Sequence, residues 1–199
     1  MDMCKKDVID KITDLQKLTI AKGLCDYRYI MEHWKDNDED FQKVYYDFYL
    51  KARTVIRTSK YREAYFNIFS QLSSDAEMDE ILEKTKKITG DWEFSIASKL
   101  LHTINDELPI YDSKIREYLS SKENVPFWWQ RRMKDSKRPR GASVEKQIQH
   151  DWEELKAWYE KFLQSERGKK WIKWFDKNFP DFEDISNVKK VDFIIFATN

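Results

Sequence analysis

Apolar residues recur along most of this chain at intervals of three and four, the spacing that lines one face of an α-helix. Almost nowhere do they alternate as a half-buried strand requires. The clearest stripe is Phe41, Val44, Tyr45, Phe48, Ala52 and Val55, with Asn37 or Asp38 placed to cap it. An earlier stripe, Val8, Ile12, Leu15 and Thr19, ends where Gly23 can adopt the left-handed conformation of a helix terminus, and residues 27–34 read as a short second helix. Ala64, Tyr65, Ile68, Phe69 and Leu72 continue the pattern; Asp75 then caps a helix carrying Met78, Ile81, Leu82, Thr85 and Ile88, closed by Gly90. Phe94, Ala97, Leu100, Leu101 and Ile104 form the next stripe, and after a Pro109-Ile110-Tyr111-Asp112 loop, Asp112 or Ser113 caps residues 115–119.

A long helix resumes with Val144, Ile148, Trp152, Leu155, Tyr159 and Phe162 behind a Ser143 cap. Gly168 separates it from Trp171, Ile172 and Phe175, and Pro180 ends that piece. Ser186 caps a last helix through Val188, Val191 and Ile195, although Phe193-Ile194-Ile195-Phe196 equally fits a short strand. The expected fold is all-α, a single compact multi-helix domain over residues 1–199 with little or no sheet. A division into two lobes, 1–130 and 142–199, joined by residues 131–141, is the alternative. Eight Trp, ten Tyr and twelve Phe make the core aromatic-rich, because each buried ring removes roughly 150–250 Å² from water.

Charge narrows the partners. The 36 Lys and Arg balance 36 Asp and Glu, so no global field favours nucleic acid or an anionic surface, and any such affinity is local. The longest run without Asp, Glu, Lys or Arg covers eleven residues, 64–74, short of the ~18 a membrane span needs. Lys11, Asp14 and Lys17 interrupt the place of a signal-peptide core, so no membrane partner and a cytoplasmic location are expected. Cys4 and Cys25 fit neither a disulfide framework nor a zinc site and read as free thiols. His33, His102 and His150 lack metal-ligand spacing, no Gly-rich phosphate loop or nucleophile elbow occurs, and no metal or cofactor is expected.

Two segments carry candidate chemistry. Asp112 opens a helix, where a carboxylate can satisfy free N–H groups and meet the helix dipole. His102 stands ten residues earlier, and a chain reversal over residues 105–109 would bring the two together as an acid–base pair, unless the histidine simply bonds a nearby carbonyl. The second segment is Trp128-Trp129-Gln-Arg131-Arg132-Met-Lys134-Asp-Ser-Lys137-Arg138-Pro-Arg140. Its part from 131 to 141 holds six cations and one anion, a net +5, beside aromatics able to stack on bases. It reads either as a nucleic-acid-binding loop or as a solvated surface whose charge offsets acidic helices.

Ile88-Thr89-Gly90, a helix containing Ala97, and Pro109-Ile110-Tyr111-Asp112 before another helix together resemble the helix-hairpin-helix DNA glycosylase superfamily, over about residues 78–120. Similar Ser-Lys-x-Leu-His and Pro-Ile-Tyr-Asp-Ser segments occur in helical bacterial proteins. The resemblance implies that Asp112 stabilises positive charge on a sugar or activates water, with Tyr111 and Trp92 at the pocket. Two departures stand out. Trp92 occupies the place of the family's second hairpin glycine, and Asp91, Glu93 and Phe94 stand near where bifunctional members carry a lysine nucleophile. Lys99 falls inside the following helix, as a surface residue or a partner of Asp106 or Glu107. The sequence thus supports a nucleic-acid-interacting protein resembling a degenerate glycosylase. The competing reading is a non-enzymatic helical interaction or scaffold module, with Asp112 only a cap.

Overall fold

The computed structural model describes residues 7–50, 59–73, 75–128 and 143–198, and among these every regular element is helical. The α-helices are α1 (Asp14–His33), α2 (Glu39–Tyr45), α3 (Ser59–Phe69), α4 (Met78–Thr89), α5 (Phe94–Ile104), α6 (Ser113–Lys122), α7 (Val144–Gln164), α8 (Glu166–Asn178) and α9 (Asn187–Thr198). Short 3₁₀ turns cover Val8–Lys11 and Pro180–Phe182, and α2 runs directly into a π-helical turn, Tyr46–Leu50. Ala52 and Val55, expected to extend that helix, lie outside the described residues.

Local chemistry sets most helix ends. Thr13 and Gln16 form a reciprocal capping box at the start of α1, and Asp38 accepts from the Phe41 amide at 2.8 Å. Gly90 closes α4 in the left-handed region at φ 76°, its N–H donating to the Lys86 carbonyl at 2.8 Å. Ser143 caps α7, and Ser186 accepts from the Lys189 amide at 3.3 Å in front of the last helix.

Three local expectations are corrected, and one left open between helix and strand is decided. Gly23 does not end the first helix, and residues 27–34 are its continuation. A Cβ at Gly23 would lie 3.0 Å from Phe193 Cε1, so the position serves close approach of α9. Gly168 does not separate helices either. Ser165 ends α7 and caps α8, and Gly168 sits in the first turn of α8 against the Phe162 carbonyl. Asp75 is not the α4 cap: its carboxylate bonds Ser73, and Glu77 stands extended at the N-cap without a side-chain bond. The Phe193-to-Phe196 run is helical, because α9 packs against α1, α6, α7 and α8 and is buried from Val188 to Ile195 on every face. A helix covered all round loses the periodic signature that separates it from a buried strand.

α5 is likewise buried, from Phe94 to Thr103. One cluster of buried apolar residues extends from Ile9 to Ile195, with rings supplying much of it: Phe41, Tyr45, Tyr65, Phe66 and Phe69 interlock at centroid distances of 5.2–6.3 Å. Edge-to-face pairs of this kind add about 0.5–1.5 kcal/mol each beyond burial. Among the described residues no helix is long and apolar enough to cross a membrane, and no group of three or more His, Cys, Asp or Glu side chains is arranged to hold a metal ion.

Candidate functional site

Asp112 is held over α5 by a polar stripe on an otherwise apolar helix. Ser95, Ser98, Lys99 and His102 follow one another at helical intervals and so share a face. Ser98 Oγ accepts from the Tyr111 amide at 3.0 Å, and His102 Nδ1 meets the Leu108 carbonyl at 2.6 Å, which folds the α5–α6 connection back along α5. Asp112 then lands above Lys99. Its Oδ1 accepts from the Lys114 amide at 3.0 Å as the α6 cap, and its Oδ2 lies 3.3 Å from Lys99 Nζ. Lys99 is buried, not on the surface, and Asp112 rather than Asp106 or Glu107 is its acidic partner here.

The same carboxylate borders a cavity of about 280 Å³. α1 contributes Thr19, Ile20 and Gly23, the π turn contributes Phe48 and Tyr49, and α9 contributes Lys189, Asp192, Phe193 and Phe196. Its wall is therefore mainly apolar and aromatic, with charge gathered in two acid–amine pairs and in Lys114. A π-helical turn commonly occurs where a helix is re-registered for a site, and here it presents Tyr49 to Lys189, Oη to Nζ, at 3.4 Å.

The second pair, Lys189 and Asp192, was not anticipated. The two are 3 % and 0 % exposed, and Nζ lies 3.8 Å from Oδ2. Asp192 Oδ1 accepts from the Tyr159 hydroxyl of α7, while Oδ2 has no hydrogen-bond partner. Burial raises the Asp192 carboxyl above the ordinary carboxylate range, with Lys189 and Tyr159 opposing. Burial likewise lowers the Lys189 ammonium; Asp192 opposes this and Lys99 reinforces it. A lysine and an aspartate one turn apart in a helix otherwise fit for a core was the available signal, since unpaired charges are almost never fully buried.

His102 is not brought to Asp112. Its Nε2 meets the Tyr27 hydroxyl at 3.0 Å and its Nδ1 the Leu108 carbonyl, so both ring nitrogens are engaged in holding the loop and α1. Burial first, and the Lys189 charge second, push its pKa down to about 3 against the Leu108 bond, keeping the ring neutral. Tyr111 does not line the cavity. Its ring stacks on Phe94 at 4.1 Å and its hydroxyl donates to Asp151 Oδ2 at 3.0 Å, inside the core against α7. Trp92 lies under Lys86 Nζ at 3.7 Å and borders a separate polar depression with Asp79 and Lys146.

Trp128 stacks flat on His150 at 3.5 Å and its backbone N–H donates to Asp151 Oδ1 at 2.6 Å. One carboxylate thus ties the residue before Asp112 to the root of the basic segment. Trp129, Arg131, Arg132, Lys134, Lys137, Arg138 and Arg140 lie outside the described residues.

Nothing matches. Comparison of the chain with family models, curated proteins and solved structures gave no significant similarity.

Proposed function

We propose that this chain engages nucleic acid at the Asp112 cavity, with residues 131–140 holding the phosphate backbone, in the manner of a divergent helix-hairpin-helix glycosylase. The observation that carries the reading is the division of labour within the Asp112 carboxylate. One oxygen is spent on the helix cap and the other lies beside Lys99, and the residue borders a hollow walled by Phe48, Phe193 and Phe196. A cavity near 280 Å³ is at the small end for ligand sites and suits one planar ring. A base turned out of a duplex or taken from a single strand would stack against the phenylalanines, leaving its sugar near the acid. Positive charge developing on that sugar would be stabilised by Asp112 through space, where partial burial strengthens the interaction. The tie from Tyr111 through Asp151 to Trp128 supports the reading, because it couples the Asp112 loop to the start of the cationic segment.

The test is a gel-shift titration with a single-stranded and a duplex oligonucleotide across salt concentrations. Phosphate-mediated binding weakens steeply as salt rises, through counterion release. Reversing the charge of Arg131, Arg132, Arg138 and Arg140 is expected to abolish the shift. Asp112→Asn should retain binding and remove any base release. No shift at low salt would overturn the proposal and leave a helical interaction module as the better account.

A further inference from the structure

The cavity holds a buried primary amine among groups suited to carbonyl chemistry. Lys189 Nζ stands 4.8 Å from the ring centre of Tyr27, 5.5 Å from Phe48, 5.2 Å from Tyr49 and 5.3 Å from Phe193, with the Tyr49 hydroxyl at 3.4 Å and Asp192 Oδ2 at 3.8 Å. A lysine serving only packing would be replaceable by an apolar side chain, and burying an ion pair stabilises little on its own. Here the pair faces a hollow, and its acid keeps one oxygen without a hydrogen-bond partner although fully buried.

We infer that Lys189 is a nucleophilic amine that captures small apolar aldehydes or ketones as an imine, with Asp192 as the proton donor and acceptor. Desolvation and a second nearby cation are the two devices that free a lysine amine at neutral pH, and Lys189 has both, in its burial and in the charge of Lys99. Tyr27 from α1, Tyr49 from the π turn, Lys99 and His102 from α5, Asp112 and Asp192 are the titratable groups that interact with it. Transfer of one proton from Nζ to Asp192 gives a neutral amine and a neutral acid. The nitrogen lone pair attacks the carbonyl carbon, a C–N bond forms, and the oxygen takes a proton released by the nitrogen to give a carbinolamine. Asp192 then protonates that hydroxyl, the C–O bond breaks, water departs, and the nitrogen lone pair completes C=N. The product is an iminium cation beside the Asp192 carboxylate, with the surrounding ring faces stabilising the new cation. Ile20, Phe48, Phe193 and Phe196 would hold the carbonyl compound's apolar body.

This proposal goes beyond the nucleic-acid reading and is tested without nucleic acid. The intact chain is incubated at pH 7 with benzaldehyde and sodium cyanoborohydride, which delivers hydride to the imine carbon, and the modified lysines are located by peptide mass mapping. Each unit by which burial lowers an amine pKa raises its free fraction about tenfold, so Lys189 is expected to be benzylated at least roughly tenfold faster than exposed lysines. Lys189→Arg, checked for folding by thermal unfolding, should lose that adduct alone. Thr19→Trp, which fills the cavity rim, should slow it several-fold. Mapping of the wild-type chain decides the matter even if Lys189→Arg does not fold. Modification confined to exposed lysines and the N-terminus, or falling on Lys99 in place of Lys189, would overturn the proposal.

Discussion

Lys99 Nζ and Asp112 Oδ2 meet at 3.3 Å across a chain reversal of thirteen residues, joining the buried helix α5 to the N-cap of α6. Each partner is worth more for what it prevents than for what it adds, because removing one takes an opposite charge away from a largely buried group. Lys99→Met is expected to cost about 2–3 kcal/mol, and Asp112→Asn, which keeps an acceptor for the Lys114 amide, about 1–2 kcal/mol. The double variant should cost less than the two together. A double-mutant cycle by urea denaturation checks this, and strict additivity would mean that the pair carries no coupling.

His102 makes stability depend on acid. Its folded pKa of about 3 lies below the ordinary imidazole value near 6.5, so the unfolded chain takes up a proton that the native chain refuses. The contribution is complete above about pH 6.5 and is lost as pH falls toward 3; at most it amounts to about 5 kcal/mol. Melting temperatures of the wild-type chain and His102→Gln, followed from pH 7 to pH 4, should converge on acidification. A constant gap would show that His102 stays neutral in both states.

Two glycines separate strain from collision. Gly90 has φ 76° with open space around it, so Gly90→Ala should cost only about 1 kcal/mol of left-handed strain. At Gly168 an added Cβ would lie 2.0 Å from the Phe162 carbonyl oxygen, and α7 and α8 would have to move apart. Gly168→Ala is expected to destabilise by about 3 kcal/mol or more, beyond the usual range for one substitution. Chemical denaturation of both variants gives the comparison directly.

Asp151 is fully buried and accepts from the Tyr111 hydroxyl and the Trp128 amide together. Asp151→Ala takes a shared acceptor from both donors and should cost about 2–4 kcal/mol, whereas Tyr111→Phe takes away one of the two donors, together with the hydroxyl that bonds Arg116, and should cost about 1 kcal/mol. Thermal unfolding distinguishes them. Equal losses would place the weight of the contact on the tyrosine alone.

Helical stripes along α2, α4, α7 and α8 were readable because those elements bury one face and wet the other. α9 was readable only in part, as a helix through Val188, Val191 and Ile195 with a strand equally open over Phe193 to Phe196, since burial on every side blurs the period that marks a helix. Gly23 and Gly168 were read as stops from conformational freedom alone, whereas Phe193 and the Phe162 carbonyl occupy the space where their side chains would be. The Asp112 cap was legible from one residue and its neighbours. The Lys99 contact and the Lys189–Asp192 pair were not, because they depend on which helices touch. A hint was nonetheless present: Ser95, Ser98, Lys99 and His102 at helical spacing inside a greasy helix, and Lys189 with Asp192 in another, are polar groups that require partners.

The hollow beside Asp112 is closed by Thr19, Ile20 and Gly23 on one side and Phe193, Phe196 and Ala197 on the other, stretches separated by most of the chain. Such a space exists only after distant segments have docked, and it vanishes as soon as α9 lifts from α1. Any molecule that settles there therefore acts as a clasp, raising resistance to unfolding in proportion to the logarithm of its concentration. Screening compounds for an upward move in melting temperature would find occupants of this space before their chemistry is known.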